Sequence, residues 1–176
     1  MAAPSGGRSK VLETERLILR WLRTDDAAFI LELVNEPSWL KYIGDKGVKT
    51  LKDAENYIRK GPVEMYGRLG FGLYLVEIKE SNEPIGICGL IKRETLEDVD
   101  LGFAFLPRFW GKHYAFESAT AAMSYGKNVL GLPRIAAIIS QDNRPSERLL
   151  EKLGFRFERK VRLSTSDDEL KLYLAT

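Results

Sequence analysis

The chain has 176 residues, 44% of them hydrophobic and 30% charged, and its formal net charge is +2. This length can bury one core, and no apolar run approaches the ~18 residues of a membrane span, so a soluble domain without membrane contact is expected. The balanced charges argue against nucleic-acid binding, and the single cysteine, Cys88, excludes an intrachain disulfide and favours a reducing, cytoplasmic compartment.

The start of the chain predicts a tail and then a strand. Residues 1–12 begin small, polar and basic, so we expect a flexible tail there, followed by a single domain over residues 13–176. Residues 15–22 are rich in aliphatic side chains and predict the first strand.

Two helices are predicted next from their caps and breakers. The first begins at Thr24 and ends at residue 36, because Pro37 disfavours helical geometry in the residue before it. The second begins at Thr50, with Asp53 completing a capping box, and ends at Gly61-Pro62. Three strands with short polar links then predict an antiparallel meander over residues 71–78, 85–92 and 98–105.

After residue 105 the apolar period changes from strand to helix. Ala115, Ala119 and Ala122 recur at helical spacing, and another helix begins at Asn143 and stops at Gly154. Strands are predicted over residues 135–139, 155–163 and 170–174. A meander that gives way to helix-connected strands predicts an α/β (mixed α+β) fold, in which helices flank a mixed sheet.

The turn at residues 106–115 joins a strand to a helix. Such a turn points unpaired backbone N–H groups at one spot, which suits a phosphate. The strand before it contains Asp100-Leu101-Gly102-Phe103, and the turn itself contains Phe109-Trp110-Gly111-Lys112. A second motif, Asn143-Arg144-Pro145-Ser146, is followed by Lys152-Leu153-Gly154-Phe155.

In this order and at these distances the motifs resemble the GNAT superfamily of acyl-CoA-dependent N-acyltransferases. The branch that they resemble most is the ribosomal-protein N-acetyltransferase-like (RimJ/RimL-type) enzymes, and the resemblance extends from about Thr14 to Ala175. It implies a mostly antiparallel sheet that splays at the cofactor site, acetyl-CoA as co-substrate and no metal. It also implies an amine acceptor as partner, and a homodimer is the assembly that many relatives adopt.

The resemblance also implies which residues hold the cofactor. The turn would receive the pyrophosphate, and backbone N–H groups around Phe105 and Leu106 would polarise the thioester carbonyl. The implied cofactor-binding residues are Phe105, Leu106, Arg108, Trp110, Gly111, Lys112, His113, Tyr114, Ala115 and Asn143.

Three residues are catalytic candidates. The resemblance gives Ser146 the task of protonating the leaving thiolate and lets Asn143 place the helix start or touch the pantetheine, although both are also ordinary helix N-terminal residues. Asp100 is the candidate base; a surface carboxylate paired with a lysine explains it equally well, and ordered water is the other route for the proton. Glu77 and Glu64 are weaker candidates.

Two departures from the family pattern keep a second function open. His113 stands where most relatives have glycine, and Leu150 stands where many superfamily members have a tyrosine that protonates the thiolate. The expected function is acetyl transfer from acetyl-CoA to a primary amine of a protein N-terminus, an amino acid or a small molecule. The alternative is a non-catalytic acyl-CoA-binding or interaction module.

The first two helices and the final strand pair are expected to form the acceptor pocket. Its candidate aromatic residues are Trp39, Tyr42, Tyr66, Phe71 and Tyr74, although aromatic residues at such spacing are more often core. Arg144, Arg148 and Lys152 are candidates for the 3′-phosphate of CoA, or else belong to a solvated helix face.

Overall fold

The computed structural model describes residues 9–176, which fold around one eight-stranded sheet. The strands are β1 (Lys10–Glu13), β2 (Leu17–Trp21), β3 (Leu73–Ile78), β4 (Pro84–Ile91), β5 (Asp100–Phe105), β6 (Ile135–Ser140), β7 (Arg156–Val161) and β8 (Leu170–Ala175). The helices are α1 (Ala27–Val34), α2 (Pro37–Tyr42), α3 (Leu51–Ile58), α4 (Glu64–Leu69), α5 (Tyr114–Asn128) and α6 (Arg144–Lys152). The predicted mixed α/β fold is confirmed.

The strands lie in the order β1-β2-β3-β4-β5-β6-β8-β7, and β5 and β6 are the only parallel neighbours in this sheet of residues 9–176. The predicted meander is β3-β4-β5, in which Ile87 pairs with Ala104 and Gly89 with Gly102. Position 89 requires glycine, because a Cβ there would lie 2.1 Å from the carbonyl oxygen of Gly72. Close backbone contact between neighbouring strands therefore fixes the register of the central sheet.

Helices cover the two faces of the meander. Helix α5 packs on one face, where Gly126 lies against Leu90 so closely that an added Cβ would be 2.9 Å from the leucine side chain. Ile87 and Ile91 alternate with Leu90 along β4 and therefore point to the opposite face. There they share a cavity with α1 and α3, represented by Leu33 and Tyr57.

The start of the chain differs from the prediction. Residues 10–12, assigned to the tail, belong to β1, which pairs antiparallel with β2. The expected strand over residues 15–22 is the shorter β2. The edge strand was missed because it has only four residues and an exposed Lys10 and Glu13 at its ends. Residues 1–8 of the expected tail lie outside the described residues.

The second predicted helix does not end at Gly61-Pro62. A π-helical turn over Arg59–Val63 carries the chain into α4, which ends at Leu69 and is capped by Gly70 with φ 78°. The wider turn accommodates Pro62, which lacks an N–H donor. The Thr50–Asp53 capping box at the start of α3 is confirmed.

The first predicted helix also differs at both ends. It opens with a 3-10 turn over Thr24–Asp26, in which the Asp26 carboxylate accepts the Arg23 N–H at 2.9 Å, and Thr24 does not cap it. A separate helix, α2, begins directly at Pro37, because proline is well suited to the first helical position even though it ends the preceding helix.

Candidate active site

The start of α5 presents free backbone donors. Gly111 (φ 76°) and His113 (φ 64°) are both left-handed, and this pair of bends lets the chain enter the helix directly from the turn. Glu117 N–H already bonds the His113 carbonyl at 3.1 Å, so the donors left over are those of the first turn, Tyr114, Ala115 and Phe116. Together with the helix dipole they favour an anion at this point.

The turn is fastened to the β1–β2 hairpin through Glu117. Its carboxylate accepts from Thr14 Oγ1 at 2.6 Å, from Arg16 N at 2.9 Å and from Arg16 Nε at 2.7 Å. Arg16 also donates to the Lys112 carbonyl at 3.0 Å and lies 4.5 Å from the Tyr114 ring centre. These hydrogen bonds lower the pKa of Glu117 against its partial burial, so the carboxylate stays charged and holds the turn.

Strands β5 and β6 separate immediately beside this turn. They pair only at Asp100 and Ala136, where Ala136 N–H bonds the Val99 carbonyl at 2.9 Å. Beyond that point β6 continues along β8 as far as Ser140 and leaves β5 without a neighbour on that side. The splayed sheet implied by the sequence is therefore present.

The free edge of β5 exposes the N–H groups of Phe103 and Phe105. Leu106 N–H donates to the Ile85 carbonyl at 3.0 Å, so Leu106 faces β4. Because successive residues alternate, Phe103 and Phe105 face the gap. Trp110 Nε1 donates to the Phe105 carbonyl at 2.9 Å and fixes the turn against the strand end. Expecting a free N–H at Leu106 was wrong, and Phe103 was missed.

A cavity of about 1090 Å³ connects the α5 turn, the gap and the face beneath α1 and α3. This is large for a ligand site and leaves room for a long ligand and a second one. The predicted catalytic and cofactor-turn residues that line it are Asp100, Phe105, Trp110, Gly111, His113, Tyr114, Ala115, Asn143 and Ser146.

Leu106, Arg108 and Lys112 do not line the cavity. Leu106 is fully buried in the core. Arg108 points to α1 and forms an ion pair with Glu32 at 2.6 Å. Lys112 contributes its carbonyl to Arg16, and its ammonium lies 5.8 Å from the Phe109 ring centre. The cofactor contacts expected of these three residues stay predictions.

The second motif forms the start of α6. Asn143 Oδ1 accepts from Ser146 N at 3.3 Å, so Asn143 is the helix cap that its sequence position predicts. Within residues 9–176 the Ser146 hydroxyl has no hydrogen-bond partner, and Ser146 lines the cavity. The motif is therefore compatible with both helix capping and proton donation, because Asn143 caps the helix and the Ser146 hydroxyl stays available to a ligand.

Glu147 and Leu150 anchor α6. Glu147 accepts from Lys171 at 2.8 Å and from Tyr173 at 2.5 Å, and these hydrogen bonds lower its pKa to about 2. Leu150 is fully buried, so the position where many superfamily members carry tyrosine belongs to the core here. Ser146 is the hydroxyl that α6 offers to the cavity.

Asp100 is a buried cavity carboxylate, and its expected alternative as a surface group paired with lysine is wrong. Its side chain is 2% exposed and accepts from Arg93 Nε at 3.2 Å. Burial raises the pKa of Asp100 to about 6, although the Arg93 charge acts in the opposite direction. Asp100 lies five residues from Phe105 at the strand end, or ~17 Å along an extended strand, so a proton would reach it only through a chain of water molecules.

The weaker base candidates lie elsewhere. Glu77 is 1% exposed and forms an ion pair with Arg20 at 3.2 Å, and Arg20 also binds Asp26 at 2.9 Å. This is a buried structural cluster on β2 and β3. Glu64 is exposed on α4, and neither glutamate lines the cavity.

The proposed aromatic lining divides into two groups. Trp39 and Tyr42 line the cavity, as predicted. Tyr66 instead stacks between Trp21 and Tyr74, with ring centres 4.7 and 5.8 Å away, and it belongs with Phe71 to the core. The cavity also receives residues that sequence patterns did not indicate, among them Lys46, Tyr57 and Arg93.

The basic residues of α6 have different environments. Arg148 and Lys152 line the cavity, and the Lys152 ammonium lies 4.4 Å from the Phe116 ring centre beside the α5 turn. Arg144 points away and pairs with Glu147 at 3.2 Å. A phosphate role therefore fits Arg148 and Lys152 and does not fit Arg144.

A sheet that opens beside a left-handed strand-to-helix turn, with a ligand cavity across both, defines an acyltransferase class of fold. Residues 16–156 match the family described as the Acetyltransferase (GNAT) domain, and the chain belongs to this family of acetyltransferase enzymes. YoaA of Bacillus subtilis, called an uncharacterized N-acetyltransferase, is 31% identical over 150 residues, which cover 84% of each chain.

Solved structures show the same fold. An acetyltransferase from Agrobacterium tumefaciens superposes with a TM-score of 0.81 at 23% identity, covering 100% of this chain and 99% of its own. RimL, a ribosomal L7/L12 α-N-protein acetyltransferase solved with coenzyme A, has a TM-score of 0.78 at 17% identity, covering 92% of this chain and 94% of its own. Ribosomal-protein acetyltransferases are thus among the proteins that share this fold, as the RimJ/RimL-type resemblance predicts.

The described residues contain neither a metal-ligand cluster nor a membrane-spanning helix. From Ser9 to Thr176 the side chains of His, Cys, Asp and Glu form no group of three or more that could hold a metal ion. Among these same residues, none of the helices has the length and apolar character needed to cross a bilayer.

Proposed function

We propose that the protein transfers an acetyl group from acetyl-CoA to a primary amine by direct attack in a ternary complex. The observation that carries this proposal is the parting of β5 from β6 after Asp100, directly beside the free N–H groups at the start of α5. A pyrophosphate fits the N–H groups of the turn, and an extended pantetheine arm fits along the free edge of β5.

The chain's own groups meet the demands of the reaction. Acetyl-CoA supplies a thioester, whose carbonyl carbon accepts the amine lone pair while the C–S bond breaks and the sulfur keeps the electron pair. The Phe105 N–H faces the gap and stabilises the charge on the carbonyl oxygen, an effect worth ~3 kcal/mol for one such donor. The Ser146 hydroxyl donates a proton to the sulfur, and solvent reprotonates the serine.

The amine passes its proton to water in the cavity, and Asp100, ~17 Å along β5 from the Phe105 strand end, accepts it through a chain of water molecules. With its pKa raised to about 6, Asp100 is ionised at neutral pH and is a stronger base than an ordinary aspartate. We propose a protein N-terminus, an amino acid or a small-molecule amine as the acceptor. We also propose a cytoplasmic location and the homodimer that the family resemblance implies. Light scattering tests the homodimer.

Two measurements test the proposal in sequence. Thermal unfolding with acetyl-CoA tests binding, since a ligand at about a hundred times its Kd adds ~2.7 kcal/mol to the unfolding free energy. Thiol release with a panel of peptides, amino acids and small amines tests transfer. Stabilisation together with amine-dependent thiol release is the expected result. Stabilisation without release on any amine supports the non-catalytic module instead, and no stabilisation at millimolar acetyl-CoA contradicts both functions.

A further inference from the structure

The acceptor half of the cavity, which lies beneath α1 and α3, has two oppositely charged ends, or poles. Its floor consists of small residues, Gly102 and Ala104, on the face of β5 that they share with Asp100. The strand end at Phe105, where the thioester carbonyl would lie, marks one pole. The strand start at Asp100 marks the other, ~17 Å away at about 3.4 Å per residue.

Two cations lie at the pole near Asp100. Arg93 follows β4 and binds Asp100 through Nε alone, so its two Nη groups have no hydrogen-bond partner in the described part of the chain. Lys46, in the loop between α2 and α3, likewise has no hydrogen bond or ion pair to residues 9–176 and lines the same cavity. Burial by the cavity walls and the Arg93 charge lower the pKa of Lys46. The charge of Asp167 raises this pKa, although the two side chains do not form an ion pair.

The acids that line the cavity do not neutralise this pair. Asp100 accepts one edge of the Arg93 guanidinium and leaves the other edge open. Asp53 is engaged by the backbone N–H groups of Lys49 and Thr50, both at 3.0 Å, in the α3 capping box. Lys46, Arg93 and Asp100 together keep one net positive charge, and the free donors of Lys46 and of the open Arg93 edge form a place where an anion is stabilised.

The opposite pole carries an acid. Glu36, at the start of α2, lines the cavity and acts on Arg108, which follows β5. The Arg108–Glu32 ion pair at 2.6 Å brings the end of α1 against the carboxyl end of β5, and Glu36 follows Glu32 by four residues, so Glu36 lies near this end of the strand. An ammonium group approaching the thioester therefore meets a negative charge, and an anion at the far end meets two positive ones.

We infer that the acceptor is a primary amine that also bears a carboxylate, held by Lys46 and the open edge of Arg93 while its amine lies near Glu36 and the β5 strand end. This inference rests on the proposed acetyl transfer and specifies its substrate class. The separation of the poles favours a carboxylate several bonds from the amine over the short spacing of an α-amino acid.

A matched acceptor series tests the inference. The acids are glycine, γ-aminobutyrate, ε-aminocaproate and 12-aminododecanoate, the last of which is long enough to approach the ~17 Å between the poles. Each acid is compared with its own carboxamide by thiol release. Because the acid and the amide differ only in charge, kcat/KM should be about tenfold or more higher for the longer acids than for their amides. Tripeptide amides with glutamate or glutamine at the second position form a second arm, which shows whether an acidic peptide side chain supplies the carboxylate.

Lys46→Gln is the informative variant, because Lys46 is exposed and forms no hydrogen bond or ion pair with the other described residues. It should reduce the acid-to-amide ratio about threefold or more, whereas Lys52→Gln, an exposed lysine of α3 that does not line the cavity, should leave the ratio unchanged.

Equal kcat/KM for acids and amides in both arms overturns the carboxylate site and leaves acetyl transfer standing. A ratio unaffected by Lys46→Gln overturns the assignment of Lys46. No thiol release with any acid-bearing amine also overturns the inference, and in that case the acetyl-CoA thermal shift tests the proposed function separately.

Discussion

Replacement of His113 by glycine is the sharpest test of the cofactor turn. His113 has φ 64°, a left-handed conformation that costs an L-residue ~1 kcal/mol relative to glycine. Glycine also gives the unfolded chain more conformational freedom, which lowers the unfolding free energy by ~0.5 kcal/mol. His113→Gly should therefore raise the unfolding free energy by ~0.5 kcal/mol, or Tm by ~1–2 °C. Acetyl-CoA affinity should stay equal or improve, because the imidazole no longer stands at the mouth of the turn.

Two control variants separate strain from side-chain contact. His113→Ala removes the imidazole but keeps the Cβ, so it should not gain stability. Asn82→Gly relieves a left-handed residue (φ 58°) in the β3–β4 turn and should gain up to the same stability with no change in affinity. Denaturant unfolding and calorimetric titration with acetyl-CoA measure both quantities. A tenfold loss of affinity in His113→Gly, ~1.4 kcal/mol, would show that the imidazole binds the phosphates and refute this reasoning.

Three further variants test other parts of the structure. Ser146→Ala should lower kcat by about tenfold to a hundredfold with little change in acetyl-CoA affinity, measured by thiol release and titration; unchanged kcat removes its role as proton donor. Folding raises the Asp100 pKa from 3.8 to about 6, so between these pH values the folded protein binds a proton that the unfolded chain has released. The unfolding free energy should therefore fall as the pH rises from 3.8 to about 6. Asp100→Asn should abolish this fall, ~3 kcal/mol at most, in urea titrations; an unaltered pH dependence contradicts the assignment. Gly89→Ala should cost ~3 kcal/mol, since its Cβ would lie 2.1 Å from Gly72 O, and a loss below ~1 kcal/mol would show that the sheet adjusts.

Local signals predicted most of the secondary structure. Alternating apolar residues marked the meander, and the caps at Thr50 and Asn143 form as expected. The failures share a physical cause, because tertiary packing overrode a local breaker. Gly61-Pro62 did not end the helix because a π-helical turn absorbed the proline, and the short β1 forms because β2 offers it a partner.

The parts of the site that are formed by one continuous sequence motif could be predicted. Residues 109–115 and the α6 cap could be found because each is one continuous segment. The identity of the free donors on β5 depends on which strand Leu106 pairs with, and no local pattern contains that register. Lys46 and Arg93 were missed for a similar reason, since both lie in loops that meet only when the sheet and helices are assembled.

The hydrogen bond from Thr14 to the Glu117 carboxylate has a consequence for biosynthesis. The two residues are 103 positions apart, so on the ribosome the hairpin leaves the exit tunnel long before its carboxylate partner is made. Until then the β1–β2 turn lacks this carboxylate partner and the anion-binding loop does not exist. Cofactor can therefore assist only the late stages of folding, after the sheet has already gathered its first five strands.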